Sequence, residues 1–319
     1  MKHFLLALFM LFFLVACNKT SQQEKDIAQI NVDFSIERFE RAFASSTPED
    51  LSALKESYPF MFSDRYPDSL WISRMQDTLQ QQLFAEVNDK FKDLSEVEEE
   101  LTALFQHLTY YFPENKVPRV ISVTSDVDYR SKVIVTDTIV LISLDTYLGE
   151  DHEFYGSIQK YLKQNFKKEQ IVSDLAEEYA KKHVFQSKQK TLLDEMIYHG
   201  KLLYFKDQVI PFKTDAEKIG YSQEELNWAM ENESEIWRYF VERELLYSTD
   251  SQLPSRFINP APFSKFYLEL DAESPGRLGR YIGWQIVKAY MNNTDNTFKN
   301  MLITDGETIF KESRFKPRK

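Results

Sequence analysis

Four side chains within six residues, Asp194, Glu195, Tyr198 and His199, pose the chemical question for this chain. They stand in the stretch from Leu192 to Phe205. At about 100° per residue, Leu193, Met196, Ile197, Gly200, Leu203 and Tyr204 fall on one apolar stripe, with Tyr198, Leu202 and Phe205 on the other side. A helix of this kind is covered on most of its circumference, so the charges on it need a reason to be there. The chemistry nearest to this arrangement is that of a zinc-protease helix, which needs two His one turn apart and a Glu beside the first as general base. Neither register supplies it. With Asp194-Glu195 in the place of His-Glu, Tyr198 takes the second ligand position, and a phenol of pKa about 10 is a poor zinc ligand near neutral pH. With Glu195 and His199 as the i, i+4 pair, Met196 stands where the base belongs. Glu195 and His199 make weak metal candidates, with a third oxygen from Glu235, Glu242 or Glu244. The competing reading is a local charge-assisted hydrogen bond between them, or pairing with Lys and Arg neighbours. No catalytic residue and no cofactor is assigned, with zinc as the alternative.

A second stretch, Gly276-Arg277-Leu278-Gly279-Arg280-Tyr281-Ile282-Gly283-Trp284, holds three of the chain's eight glycines within eight residues. Each costs a helix about 1 kcal/mol relative to Ala. Close packing of another element against the bare backbone is the simplest compensation. The functional alternative is a peptide groove into which Arg277, Arg280 and Tyr281 point, with the helix N-terminus favouring a carboxylate. The candidate groove is therefore Asp194, Glu195, Tyr198, His199, Arg277, Arg280 and Tyr281. His107, His152 and His183 have no partner at ligand spacing and read as surface or capping residues. Gly-x-Ser-x-Gly and phosphate-loop signatures are absent. Acidic pairs such as Asp126/Asp128 and Glu98–Glu100 read as solvated faces.

The elements that must position these residues read as α+β and mostly helical: a single domain over 27–310, with a small sheet at about 117–144 packed on the central helix. Ile30 to Phe34 alternates as a short strand, and Phe39, Ala42 and Phe43 share a helix face. Thr47-Pro48-Glu49-Asp50 starts a helix with Pro in its first turn. One long helix runs from Asp68 towards Phe91, and another from Ser95 to Tyr111. Val117 to Ser125 reads as a strand, and Lys132 to Val135 pairs with Thr138 to Leu144. Helices follow at about 154–165, 169–183 and 188–205. Ser222 to Glu225 is a capping box, with helices at about 233–247 and from Ser274 through Met291. The basic stretch 311–319 reads as a loose tail. No repeat and no internal Pro/Gly/Ser linker divides the chain.

The N-terminus addresses the compartment. Lys2 and His3 precede an apolar run from Phe4 to Ala16, too short for a permanent span. Leu14-Val15-Ala16-Cys17 matches a bacterial lipobox, which makes 1–16 a signal peptide and Cys17 the lipidated residue. Acyl chains on Cys17 would anchor the protein at about 0.8 kcal/mol per buried methylene. Cys17 is the sole cysteine, so no disulfide framework or thiolate site is expected. Residues 17–26 read as a polar tether without an acidic cluster, which points to the periplasm rather than to surface display. Removing 1–16 leaves 38 basic against 50 acidic residues, a formal charge of −12. Such a chain repels nucleic acid, and no nucleic-acid role is expected.

Further motifs carry a family resemblance. They are Tyr111-Phe112-Pro113 with Pro118-Arg119-Val120, Leu144-Asp145-Thr146-Tyr147-Leu148-Gly149, and Met196-Ile197-Tyr198 with Gly200 to Phe205. Leu246-Tyr247-Ser248-Thr249-Asp250 follows, then Pro275-Gly276-Arg277 with Gly279 and Gly283-Trp284-Gln285-Ile286-Val287. In this order and spacing the chain resembles GldB, the gliding-motility lipoprotein family of the Bacteroidetes, over nearly its whole length after the signal. The resemblance implies an envelope lipoprotein, expected in the outer membrane facing the periplasm and associated with other Gld proteins and the type IX secretion apparatus. The family is also similar to predicted zinc-dependent proteases with a His-Glu-x-x-His helix and a comparable Pro-Gly-Arg helix, which implies a zincin-like fold for the single domain. Here those ligand positions are degenerate, so a non-catalytic, protein-binding use of a protease-like fold is expected, with a divergent metallopeptidase using Glu195 and His199 as the alternative. A peptidoglycan-binding module has no recognisable motif here.

Overall fold

The structure, a computed structural model, describes residues 22–187, 190–268 and 271–318. Cys17 and the signal segment lie outside the described residues. Helix α1 (Gln22–Ala28) buries Ile27 and packs on α6 (Ser95–Tyr111). The stretch expected to be a tether is thus helical from Gln22 and held against the domain. Residues 30–34 form no strand. Phe34 instead sets its ring edge-on to Phe105 at 5.2 Å, and β1 forms at Ile36–Arg38.

Local capping explains the next boundaries. Helix α2 (Phe39–Ser45) is followed by a 3-10 turn at Pro48–Asp50 and by α3 (Leu51–Ser57). The helix start expected at Thr47 is this 3-10 turn, and a capping box closes it: the Asp50 carboxylate accepts from Thr47 N–H at 2.9 Å. The single long helix expected from Asp68 is in fact two, α4 (Asp68–Gln76) and α5 (Thr78–Lys90). Asp77 is extended, and its carboxylate caps the amide of Gln80 at 2.9 Å, so one residue both stops a helix and starts the next.

The sheet has the order β1-β2-β4-β3, with β2 at Arg119–Val123, β3 at Val133–Val135 and β4 at Ile139–Ser143. β1, β2 and β4 run parallel, and β3 pairs antiparallel to β4 as a hairpin. Both faces of β2 are covered. Val120 joins the main core, while Ile121 and Val123 face a smaller cluster containing Phe39, Phe43 and Phe84. Val- and Ile-rich strands are what a sheet buried on two sides requires.

The remaining helices are α7 (Lys160–Lys163), α8 (Ile171–His183), α9 (Leu192–Val209), α10 (Asp215–Ile219), α11 (Gln223–Glu231) and α12 (Glu233–Glu242). They continue with α13 (Leu253–Phe257), α14 (Leu278–Asn293), α15 (Phe298–Ile303) and α16 (Gly306–Ser313). The helical stretch expected at 154–165 shrinks to a 3-10 turn and the single turn of α7. The architecture is α+β and mostly helical, as expected. The sheet, however, meets α8 through β3, and α8 in turn packs on the central helix α9, so the principal helical partner of the sheet is α8. The C-terminal stretch is also not a loose tail. Lys311 lies in α16, Phe315 packs edge-on against Trp237 at 5.2 Å, and Arg318 N–H donates to the buried Glu233 at 3.0 Å. Among the described residues no helix is long and apolar enough to cross a membrane.

Candidate functional site

The central helix α9 starts at Thr191, whose hydroxyl accepts from the Asp194 amide at 3.1 Å. The Asp194 carboxylate in return accepts from Thr191 N–H at 3.2 Å. Its main partner is α14, and the two cross backbone to backbone. A Cβ on Gly283 would overlap the Met196 carbonyl group and lie 3.1 Å from the Met196 Cα. One on Gly200 would overlap the Gly283 carbonyl and lie 2.8 Å from the amide nitrogen of Trp284. Gly279 faces α13 in the same way, with the Phe257 carbonyl oxygen 2.8 Å from where its Cβ would be. The glycines of this stretch are thus explained by close helix packing.

Four of the seven groove candidates hold the fold together. Asp194 belongs to the α9 cap. Arg277, in a left-handed conformation (φ 61°), donates to the carbonyls of Ile219 at 2.9 Å and Gly220 at 2.8 Å, with its guanidinium over the Tyr221 ring. Arg280 Nε donates to the Ile258 carbonyl at 2.7 Å. Tyr281 is buried and donates its hydroxyl to Glu233 at 2.7 Å, so it is engaged by α12 and the C-terminal segment. Glu195 and His199 share no hydrogen bond, so of the competing readings the local pairing between them is not found. Among the described residues no three His, Cys, Asp or Glu gather in a metal-binding arrangement. Glu235 and Glu242 instead pair with Arg238 on the exposed face of α12.

His199 sits among cations. Burial, reinforced by Arg280, brings its imidazole down to about 3, so it is neutral at ordinary pH. Burial likewise lowers the Arg280 guanidinium to about 10, despite nearby Glu177. Burial works to raise the Glu177 carboxyl, yet Lys206, Arg280 and Lys181 together hold it well below the usual carboxylate range. Lys206, buried in the last turns of α9, donates to Glu177 at 2.9 Å, to the Ser173 hydroxyl at 3.2 Å and to the Lys218 carbonyl at 2.9 Å.

These groups line or adjoin a cleft of about 290 Å³ between α8, the end of α9 and the start of α14. Tyr129, Tyr161 and Phe166 contribute walls, and Lys132 bridges to Asp174 inside it. The cleft gathers Arg277 and Arg280 with acids and lysines of α8 and α9 that the sequence reading did not single out. A signal existed for one of them: Lys206, like Lys201 outside the cleft, is a charge on the same covered helix that drew attention to Asp194. Lys201 is buried and donates to the Leu302 carbonyl at 3.1 Å and to the Thr304 carbonyl; burial lowers its ammonium to about 8.

The three other histidines among the described residues have structural roles. His152 accepts the Phe154 amide at 3.3 Å, His183 stacks on Phe112 at 4.0 Å, and His107 is buried with Nδ1 2.7 Å from the Ala103 carbonyl. Capping therefore holds for His152, whereas His107 and His183 sit in packed surroundings.

A family model described as gliding motility protein GldB matches residues 20–317. The chain belongs to the GldB family. The match takes in α1 at one end and the segment beyond α16 at the other, so the GldB unit includes both termini of the described domain. No curated protein and no solved structure matches the chain.

Proposed function

We propose that this GldB protein is a non-catalytic accessory of the gliding-motility and type IX secretion machinery. It is held by a lipid on Cys17 at the outer membrane, facing the periplasm. In this reading a degenerate zinc-protease fold serves protein binding, and the groove beside α9 and α14 receives a segment of a partner, another Gld or secretion component. The observation that carries the reading is the use made of the would-be catalytic face. Asp194, Arg277, Arg280 and Tyr281 each cap, or bond to, the surrounding fold, while Glu195 and His199 share no hydrogen bond.

The test is made in the producing bacterium, with gliding and secretion as readouts and envelope level checked by immunoblot. Glu195→Gln and His199→Gln leave both readouts intact, whereas Gly279→Leu, which drives a side chain into α13, abolishes them. Loss of gliding in a His199 variant present at normal level would favour the divergent metallopeptidase instead.

A further inference from the structure

Seven cations (Arg130, Lys132, Lys181, Lys206, Lys218, Arg277 and Arg280) line the cleft, against three acids (Asp174, Glu177 and Glu178), in a chain whose formal charge is −11. Concentrating positive charge in a recess of an acidic protein is unfavourable unless something negative shares the recess.

An account of the donors shows where that something goes. Lys206 has three acceptors, as described above. Lys132 has Asp174, Lys181 has Glu178 at 2.6 Å, and Lys218 has Asp207 at 3.0 Å. Both terminal nitrogens of Arg277 reach backbone carbonyls. Arg280 differs: only its Nε has an acceptor, and neither terminal nitrogen has one among the described residues. Its guanidinium thus keeps one edge of its fork for a ligand. A planar fork matches a carboxylate, which it can hold by two parallel hydrogen bonds. Glu177 beside it disfavours a doubly charged group, which argues for a carboxylate over a phosphate. The wall offers the remaining contacts of a peptide. Asn165 and Gln170 use their amide nitrogens on the Gly220 and Glu217 carbonyls, which leaves both amide oxygens to accept N–H groups. Tyr129 and Tyr161 supply flat surface.

We infer that the cleft between α8, α9 and α14 binds a carboxylate of a peptide segment, held by the terminal nitrogens of Arg280 and drawn in by the cationic rim that includes Arg130. This rests on the accessory reading above and names the chemistry of its groove. The carboxylate is either a chain terminus or an acidic side chain.

The experiment uses the full-length protein in detergent and three probes: Ala-Tyr-Ala with a free C-terminus, the same peptide amidated, and amidated Ala-Glu-Tyr-Ala. Binding is followed by saturation-transfer NMR and by competition. The expected result is binding of at least one carboxylate probe tenfold or more tighter than the amidated Ala-Tyr-Ala; which one binds identifies the source. Arg280→Gln, whose amide can still reach the Ile258 carbonyl, lowers that affinity at least tenfold. Arg280→Lys, which keeps the charge but not the fork, falls between. Arg130→Glu, on an exposed side chain that has no ion pair among the described residues and rests over the Tyr129 ring, lowers it about fivefold with little change in unfolding midpoint, so the test survives if the Arg280 variants fold poorly. Equal affinity for acid and amide, no binding of any probe, or an Arg130→Glu protein that binds as before overturns the inference. Gliding of the Glu195 and His199 variants is scored separately, so a failed carboxylate site would leave the accessory role standing.

Discussion

Replacing Gly283 by Ala tests the helix crossing with a single methyl group. The new carbon has no room: it falls within the van der Waals envelope of the Met196 carbonyl, where ordinary Cβ contacts lie at 3.4–4 Å. The obstacle is backbone inside a helix and cannot swing aside as a side chain would, so α14 and α9 must separate along their contact. Overpacking of this kind costs typically 1–3 kcal/mol, and a rigid backbone obstacle places it near 3. Alanine returns about 1 kcal/mol through its helix propensity. The net expectation is a loss of about 2 kcal/mol, read from the urea midpoint of the full-length protein in detergent at constant m-value. Gly200→Ala strikes the same crossing from the other helix, next to the Gly283 carbonyl and the Trp284 amide. Once one methyl has parted the helices, the second costs less, so the double variant is destabilised by clearly less than the sum of the singles. Gly156→Ala, on an exposed turn, serves as control and stays within about 0.5 kcal/mol of the parent. A Gly283→Ala protein as stable as the parent, or strictly additive effects at the two glycines, would refute the account of the crossing.

Two further perturbations follow from ionisable groups held within the fold. His199 remains neutral in the fold down to about pH 3 but takes a proton near 6.5 once unfolded. The unfolded chain therefore binds more protons as pH falls through 6.5, and stability present above that value is lost on the way to 3. At pH 5 the loss is about 2 kcal/mol, from one and a half pH units at about 1.4 kcal/mol each. The stability gap between the parent and His199→Gln should shift by that amount between pH 7.5 and pH 5, and a pH-independent gap would count against a neutral, half-buried imidazole. Asp145, fully buried, accepts the amides of Ser125 at 3.0 Å and Val127 at 2.7 Å, across a turn in which Asp126 and Val127 have positive φ. Asp145→Ala leaves two N–H groups without their acceptor, at roughly 1–3 kcal/mol each. Hydrogen exchange at Ser125 and Val127 should speed up well before the core opens; unchanged protection there would mean that the turn holds itself.

The parts of the fold legible in the sequence are those decided by neighbours in the chain. Ser222 with Glu225 closes its box within three residues and is found where its spacing puts it, and Thr47-Pro48 starts its helical turn where expected, with Asp50 closing it as well. Asp77 shows the limit of such reading. It sits inside a continuous helical pattern, and only its extended backbone reveals a cap rather than a surface acid. β1 was hidden for another reason. Its three residues gain strand conformation by pairing in parallel with β2, with Ile36 opposite Val120, and no local alternation marks such a partner. The candidate site divides in the same way. That α9 is covered could be read from its periodicity, and the bare glycines announced a close neighbour. That Glu177 would meet Lys206, or that Tyr281 would turn to Glu233, depends on elements brought together from far along the chain.

The docking of α1 on α6 has a consequence for reach. Cys17 and Gln22, the first residue of α1, are five residues apart. Five residues at full extension cover about 17 Å, at about 3.3–3.6 Å each. With a lipid on Cys17, that span would be too short for the domain to leave the bilayer surface. The face around α1 and the end of α6 would stay at the bilayer surface. A partner would therefore have to arrive at the membrane to be met, and the five residues before Gln22 would set how far away it could stand.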